Sequence, residues 1–132
     1  MIASKVFYPM RRGRNAGGLS RKEIMFEIDN TLRRLGTDYL DLYWQHNWDP
    51  HTPLEETIST LDDLVRQGKV RHVGITETSP FDPEQRVLQQ ALVEENGTAG
   101  WEVAMLACSL VNQGARTRVF PATRRLGVGT LL

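Results

Sequence analysis

The sequence predicts an α/β fold built on a parallel sheet, and three observations carry the prediction. Three segments open on a capping residue followed three positions later by Glu or Gln: Ser20-Arg-Lys-Glu23, Thr52-Pro-Leu-Glu55 and Asp82-Pro-Glu-Gln85. Between the amphipathic runs that follow them lie short apolar or β-branched stretches, too short for buried helices. The two textures alternate strictly, which implies parallel strands joined by right-handed helical crossovers. An open doubly wound sheet and a partial (β/α)8 TIM barrel both satisfy the pattern, with about five parallel strands and four helices.

Taken in order, residues 2–7 read as the first strand, buried on both faces like those that follow. A helix over about 21–35 follows, with Ile24, Ile28, Leu32 and Leu35 on one stripe and Gly36 as its stop. Residues 39–44 form the second strand. The second helix, about 53–67, has Pro53 at its first position, where a missing N–H costs nothing, and Leu54, Ile58, Leu61 and Val65 on its apolar face before Gly68. Residues 70–75 form the third strand. Asp82 caps a third helix through Val87, Leu88, Ala91 and Leu92, which Asn96-Gly97 ends. Residues 103–108 form the fourth strand, about 115–126 the fourth helix, and 127–132 the last apolar run. The one long irregular stretch, 8–19, follows a strand, and in a β/α protein that is the functional edge. Both ends of the chain fall on apolar runs, so residues 1–132 read as one partial domain truncated at both ends.

Composition removes several classes of function. Sixteen basic and sixteen acidic residues give a formal net charge of zero, so nothing global points to nucleic acid or to an anionic membrane. The single cysteine, Cys108, excludes an internal disulfide and a Cys-based zinc site and fits a cytoplasmic setting. The longest apolar stretch falls far short of the roughly 20 residues of a spanning helix. The N-terminal bases follow the apolar residues, the reverse of a secretory signal.

Chemistry in such folds gathers at the carboxyl ends of strands. Lys5 stands near the end of the first strand, as a catalytic group or an exposed edge lysine; His46 ends the second, as a functional imidazole or a hydrogen-bonded structural one. Thr76 and Glu77 follow the third, as ligand contacts or as a loop capping its own backbone. Other motifs fail. Gly13, Gly17 and Gly18 fit neither the phosphate-loop nor the dinucleotide spacing. Arg11, Arg12 and Arg14 read as a solvated loop tip, and Asp62-Asp63 as a solvated helix face. His46, Asp49 and His51 lack metal-ligand geometry, and Ser109 has no nucleophile context.

The segments IASKV, LRRLGTDYLDLYWQHNWDP, TPLEETISTLDDLVRQGKVRHVGIT and VFPATRRLGVGTLL together resemble the middle of an aldo-keto reductase, over nearly the whole chain. The resemblance implies the third to seventh strands of a (β/α)8 barrel, with NADPH, or NAD in some members, exchanging a hydride with an aldehyde, a ketone or a sugar-type alcohol. The family's catalytic set is an Asp, a Tyr, a Lys and a His. By motif Lys5 matches the lysine and His46 the histidine; the Asp and Tyr belong to a segment preceding this sequence, and Tyr8, Tyr39 and Tyr43 sit in no matching motif. In such a site the tyrosine protonates the carbonyl oxygen, the lysine charge stabilises tyrosinate, and the histidine donates to the developing oxyanion. Thr76 and Glu77 stand where the family commonly has Ser-Asn for the nicotinamide carboxamide, and Met105 where it has glutamine; a carboxylate offers no amide N–H. Trp48 falls where members place part of the substrate-pocket wall. The expected function is therefore an aldo-keto reductase-type oxidoreductase in its full-length form, with a small carbonyl or alcohol substrate, no metal, and an inactive isolated chain. The alternatives are a non-catalytic cofactor-sensing or interaction protein on the same barrel, or a self-associating half-barrel.

Overall fold

Five strands form one parallel sheet in chain order: β1 (Ala3–Val6), β2 (Leu40–Gln45), β3 (Val70–Thr76), β4 (Val103–Met105) and β5 (Gly129–Leu131). A computed structural model describes residues 1–14, 16–76, 101–105, 116 and 120–131. Among these, three helices connect or follow the strands: α1 (Arg21–Leu35), α2 (Leu54–Arg66) and α3 (Phe120–Leu126). The expected helix opened by Asp82 lies outside the described residues, as do Glu77, Cys108 and Ser109. The predicted order of parallel strands is the order found, with helical crossovers after β1, β2 and β4 among the described residues.

The helix ends follow backbone chemistry. At α1 the Glu23 N–H donates to Ser20 Oγ at 3.4 Å, and Gly36 takes the left-handed conformation at φ +65°, its N–H turned back to the Arg33 and Leu32 carbonyls. At α2 the expected cap does not form. Pro53 stands at the N-cap and has no side-chain acceptor to offer, while Thr52 lies one residue outside the helix with its hydroxyl donating to the Asp49 carboxylate at 2.8 Å. Glu55 and Glu56 in the first turn then complement the helix dipole.

The two faces of the sheet differ. In a strand successive side chains alternate faces, and partners in parallel register share one. Ser4, Tyr43 and Val73 are in register on the helix side, as are Val6, Gln45, Ile75 and Ala104. There Val6, Tyr43 and Val73 pack with Ile24 and Ile28 of α1 and Leu61 and Leu64 of α2 in the main apolar core. The other face carries the row Lys5, Trp44, Gly74, Val103 and Gly129. Trp44 is 3% exposed, because its ring lies against the backbone of Gly74, where any Cβ would fall inside the ring's van der Waals envelope.

Burial on both faces holds for β2 and fails at the margins. Every residue of β2 but Asp41 is buried, whereas β5 is exposed throughout and β1 buries only Val6. Each of those strands has one neighbour in the sheet, so half its surface lacks a partner element. Two charged segments also differ from expectation. Asp62 is buried and paired with Arg66 at 2.8 Å one turn on, and Asp63 pairs with Arg21 across to α1 at 2.6 Å, so neither belongs to a purely solvated face. Arg11 is no free loop tip: its guanidinium makes a two-pronged bond to the buried Glu23, at 2.6 and 2.7 Å, and lies 4.3 Å from the Phe26 ring centre.

Candidate active site

Because the strands are parallel, the last residues of β1, β2 and β3 and the loops after them meet at one end of the sheet. Lys5 is the penultimate residue of β1 and is exposed at the sheet margin. His46 follows β2 immediately, and its N–H donates to the Val6 carbonyl at 3.0 Å, extending the β1–β2 ladder by one residue. Two residues beyond Trp44, His46 shares the face of Lys5. The half-buried imidazole is held below the ordinary histidine range by burial first and by the neighbouring Lys5 charge second. The structure thus brings the two sequence-predicted candidates to the same end of the sheet, Lys5 in β1 and His46 just after β2.

Thr76 closes β3 on the same level. Buried, it donates through Oγ1 to the His46 carbonyl at 2.6 Å, with the Gln45 carbonyl 3.3 Å away. Its proton is therefore engaged by the backbone that carries the imidazole, and only its lone pairs face other partners. Met105 ends β4 opposite Thr76 in register and is half-buried. Trp48 is half-buried too, its N–H donating to Asn47 Oδ1 at 2.9 Å.

Two loops wall this end of the sheet, one after β1 and one after β2. The first is pinched at its neck by the Gly18 N–H donating to the Phe7 carbonyl at 2.7 Å. It sends Tyr8, 53% exposed, edge-on against the His46 ring, with centroids 5.1 Å apart and planes at 90°. The Asn47 amide donates to the Tyr8 hydroxyl at 3.4 Å, binding the second loop to the first. No motif marks Tyr8, since a tyrosine three residues after a strand lysine has no spacing rule; only the fold lays it on His46.

On the helix side of the same loop, Lys5, Tyr8, Gly18, Glu23, Glu27 and Arg34 line part of a cavity of about 70 Å³. Burial raises the Glu23 carboxyl above its ordinary value, and the Arg11 guanidinium opposes the shift without cancelling it. The neighbouring Tyr43 hydroxyl is wholly buried without a hydrogen-bond partner among the described residues, and burial pushes its pKa well up. Among the described residues no group of three metal-ligating side chains converges, and no helix is long and apolar enough to cross a membrane.

Comparison with known proteins gives this end of the sheet a context. The model of the aldo/keto reductase family matches residues 1–131. The chain is 35% identical over 106 residues to the L-glyceraldehyde 3-phosphate reductase of Escherichia coli, covering 80% of this chain and 28% of that protein. It is 40% identical over 100 residues to an aldo-keto reductase of Alternaria alternata, with 72% and 27% covered. Against an uncharacterised oxidoreductase of Bacillus subtilis it is 32% identical over 135 residues, with 99% and 40% covered. The chain thus spans well under half the length of these relatives. With the match running from the strand that carries Lys5 to the last strand of the sheet, the chain belongs to the aldo/keto reductase family, and its five parallel strands are part of that family's (β/α)8 barrel.

Proposed function

We propose that, in its full-length form, this protein is an NAD(P)H-dependent reductase of small aldehydes or ketones, or an oxidant of the corresponding alcohols, with Lys5 and His46 in its catalytic set. The single observation that carries the reading is their convergence from adjacent parallel strands, with the Lys5 charge lowering the proton affinity of His46. A neutral imidazole is the form that donates one N–H to a carbonyl oxygen without competing for its proton. Lys5 supplies a fixed positive charge that stabilises negative charge developing on that oxygen, or on the conjugate base of a nearby acid.

The residues present fit a nicotinamide on one side. Thr76 Oγ1, its proton held by the His46 carbonyl, is an acceptor suited to a carboxamide N–H rather than a donor to its carbonyl. Glu77, the next residue, would accept as well. When bound, the nicotinamide supplies the hydride. The chain's own part is to hold the imidazole in place through the Val6 and Thr76 bonds and to keep its reacting face beside Lys5. Tyr8, laid edge-on against the His46 ring, and Trp48, two residues beyond His46, would offer aromatic surface to a substrate's apolar part.

The test is carbonyl-dependent NADPH oxidation by the full-length protein. His46→Ala and Lys5→Met should each lower kcat/KM by about 100-fold or more, the scale of lost general acid–base and electrostatic assistance, with melting unchanged. Rates within about threefold of wild type would remove both assignments.

A further inference from the structure

We infer that Asp49 is a positioning residue that couples the loop after the Lys5 strand to the loop after His46, and so fixes His46 and Tyr8 relative to Lys5. The inference rests on the reading of Lys5 and His46 given above. Asp49 is 7% exposed, and a carboxylate taken that far out of water persists only if its lone pairs are answered. Three donors answer it, from two loops. Oδ2 accepts from the Leu19 N–H at 2.7 Å, in the loop after β1, and from the Thr52 hydroxyl at 2.8 Å, while Oδ1 accepts from the His51 N–H at 3.0 Å. Burial alone would raise its pKa; these hydrogen bonds outweigh burial and hold the carboxyl below its ordinary value, so it is ionised at neutral pH.

The backbone on the far side is shaped to admit the carboxylate. Gly18 sits at φ +90°, and a Cβ there would lie 2.6 Å from Asp49 Oδ2. Gly18 is also the residue whose N–H closes the loop neck on the Phe7 carbonyl. The bolt therefore falls where the neck meets α1, with Tyr8 the next residue beyond Phe7. From the other side, Asp49 follows His46 by three residues, with Asn47 between them holding the Tyr8 hydroxyl. The Thr57 hydroxyl of α2 adds a second tie, donating to the Leu19 carbonyl at 3.1 Å, so both backbone groups of Leu19 are gripped by the loop after β2 and the helix it leads into. A carboxylate with donors from one loop would be a local turn. Donors from both make it a joint, and displacement of a reacting group by about 1 Å is enough to cost about 100-fold in rate.

The experiment reads the His46 imidazole directly, by proton NMR titration of the full-length protein, alongside steady-state reduction of a panel of small aldehydes with NADPH. Asp49→Asn keeps the shape and puts an amide N–H against a donor; Gly18→Ala displaces the carboxylate from the opposite side. Gly18→Ala, which leaves every charge in place, should move the His46 midpoint upward toward the ordinary imidazole value, and both variants should lower kcat by about 10- to 100-fold with KM within about threefold. Should Asp49→Asn fail to fold, Thr52→Val removes one donor, leaves the Leu19 bond, and should give the same two changes at smaller size. A lowered melting temperature with the His46 midpoint and kcat of the folded protein unmoved would make Asp49 merely structural and overturn the inference. If the wild type reduces no carbonyl compound, the proposed activity fails, and the midpoint alone decides: its movement supports the joint and its stillness refutes it.

Discussion

Tyr43 and Trp44 are neighbours in β2, both aromatic and both buried, yet they belong to two different regions. Tyr43 faces the helices among Ile24, Ile28 and Leu64, where its hydroxyl finds no partner among the described residues. Trp44 faces the opposite side, laid over Gly74 in the row that begins with Lys5. The helix side is a stability face: its apolar core lies beside the buried Glu23 and Glu27 and a small cavity, and the Tyr43 hydroxyl and Gln45 Oε1 are left without partners among the described residues. The Trp44 side puts Lys5, His46 and Thr76 together and links their loops through polar groups. One residue of register separates the face that holds the sheet together from the face that carries the proposed site.

Substitutions on either face separate the two roles. The largest stability effects belong to the helix side, where Ile28→Ala and Leu64→Ala should each cost about 2–5 kcal/mol through lost burial and the cavity left behind. Denaturant melts check this, and the His46 titration of the still-folded fraction should stay where it is. Gly74→Ala tests the other face. A methyl inside the Trp44 ring envelope must push the indole, costing about 1–3 kcal/mol by overpacking and disturbing the reacting end as well. If Gly74→Ala is neutral in both respects, the Trp44–Gly74 contact is not what seats the row. Tyr43→Phe should show the smallest effect, within about 1 kcal/mol and toward greater stability, since it removes a buried hydroxyl without breaking a bond. A larger loss would mean that the hydroxyl has a partner in the folded protein.

Much of the fold was legible because parallel β/α units repeat one grammar. Ser20, Gly36 and the stripe of Ile24, Ile28 and Leu32 mark α1 through local rules that the tertiary structure does not override. The start of α2 was misread because Pro53, which has no side-chain acceptor, takes the N-cap, and Thr52 is left outside the helix with its hydroxyl on the Asp49 carboxylate, a loop contact that sequence spacing cannot see. Arg11 looked like a solvated tip for a similar reason: its partner Glu23 is twelve residues away and becomes its neighbour only when the loop folds back onto α1. Lys5 and His46 were legible as strand-end residues and through the family motif. Tyr8, Asn47 and Asp49 were not, because each acts between two loops, and contacts between loops leave no period in a sequence.

The central claim is that Lys5 and His46 form one electrostatic unit at the end of the sheet. The most direct measurement is the His46 titration midpoint in the wild-type protein and in Lys5→Met, which removes the charge and keeps the length of the side chain. Burial lowers the midpoint in both, and the Lys5 charge lowers it further in the wild type alone. The account therefore predicts a midpoint below the ordinary imidazole value in the wild type and a rise in the variant, larger at low ionic strength than at high. An identical midpoint in the two proteins at low salt would mean that the lysine and the histidine do not sense each other, and the paired catalytic reading would fall.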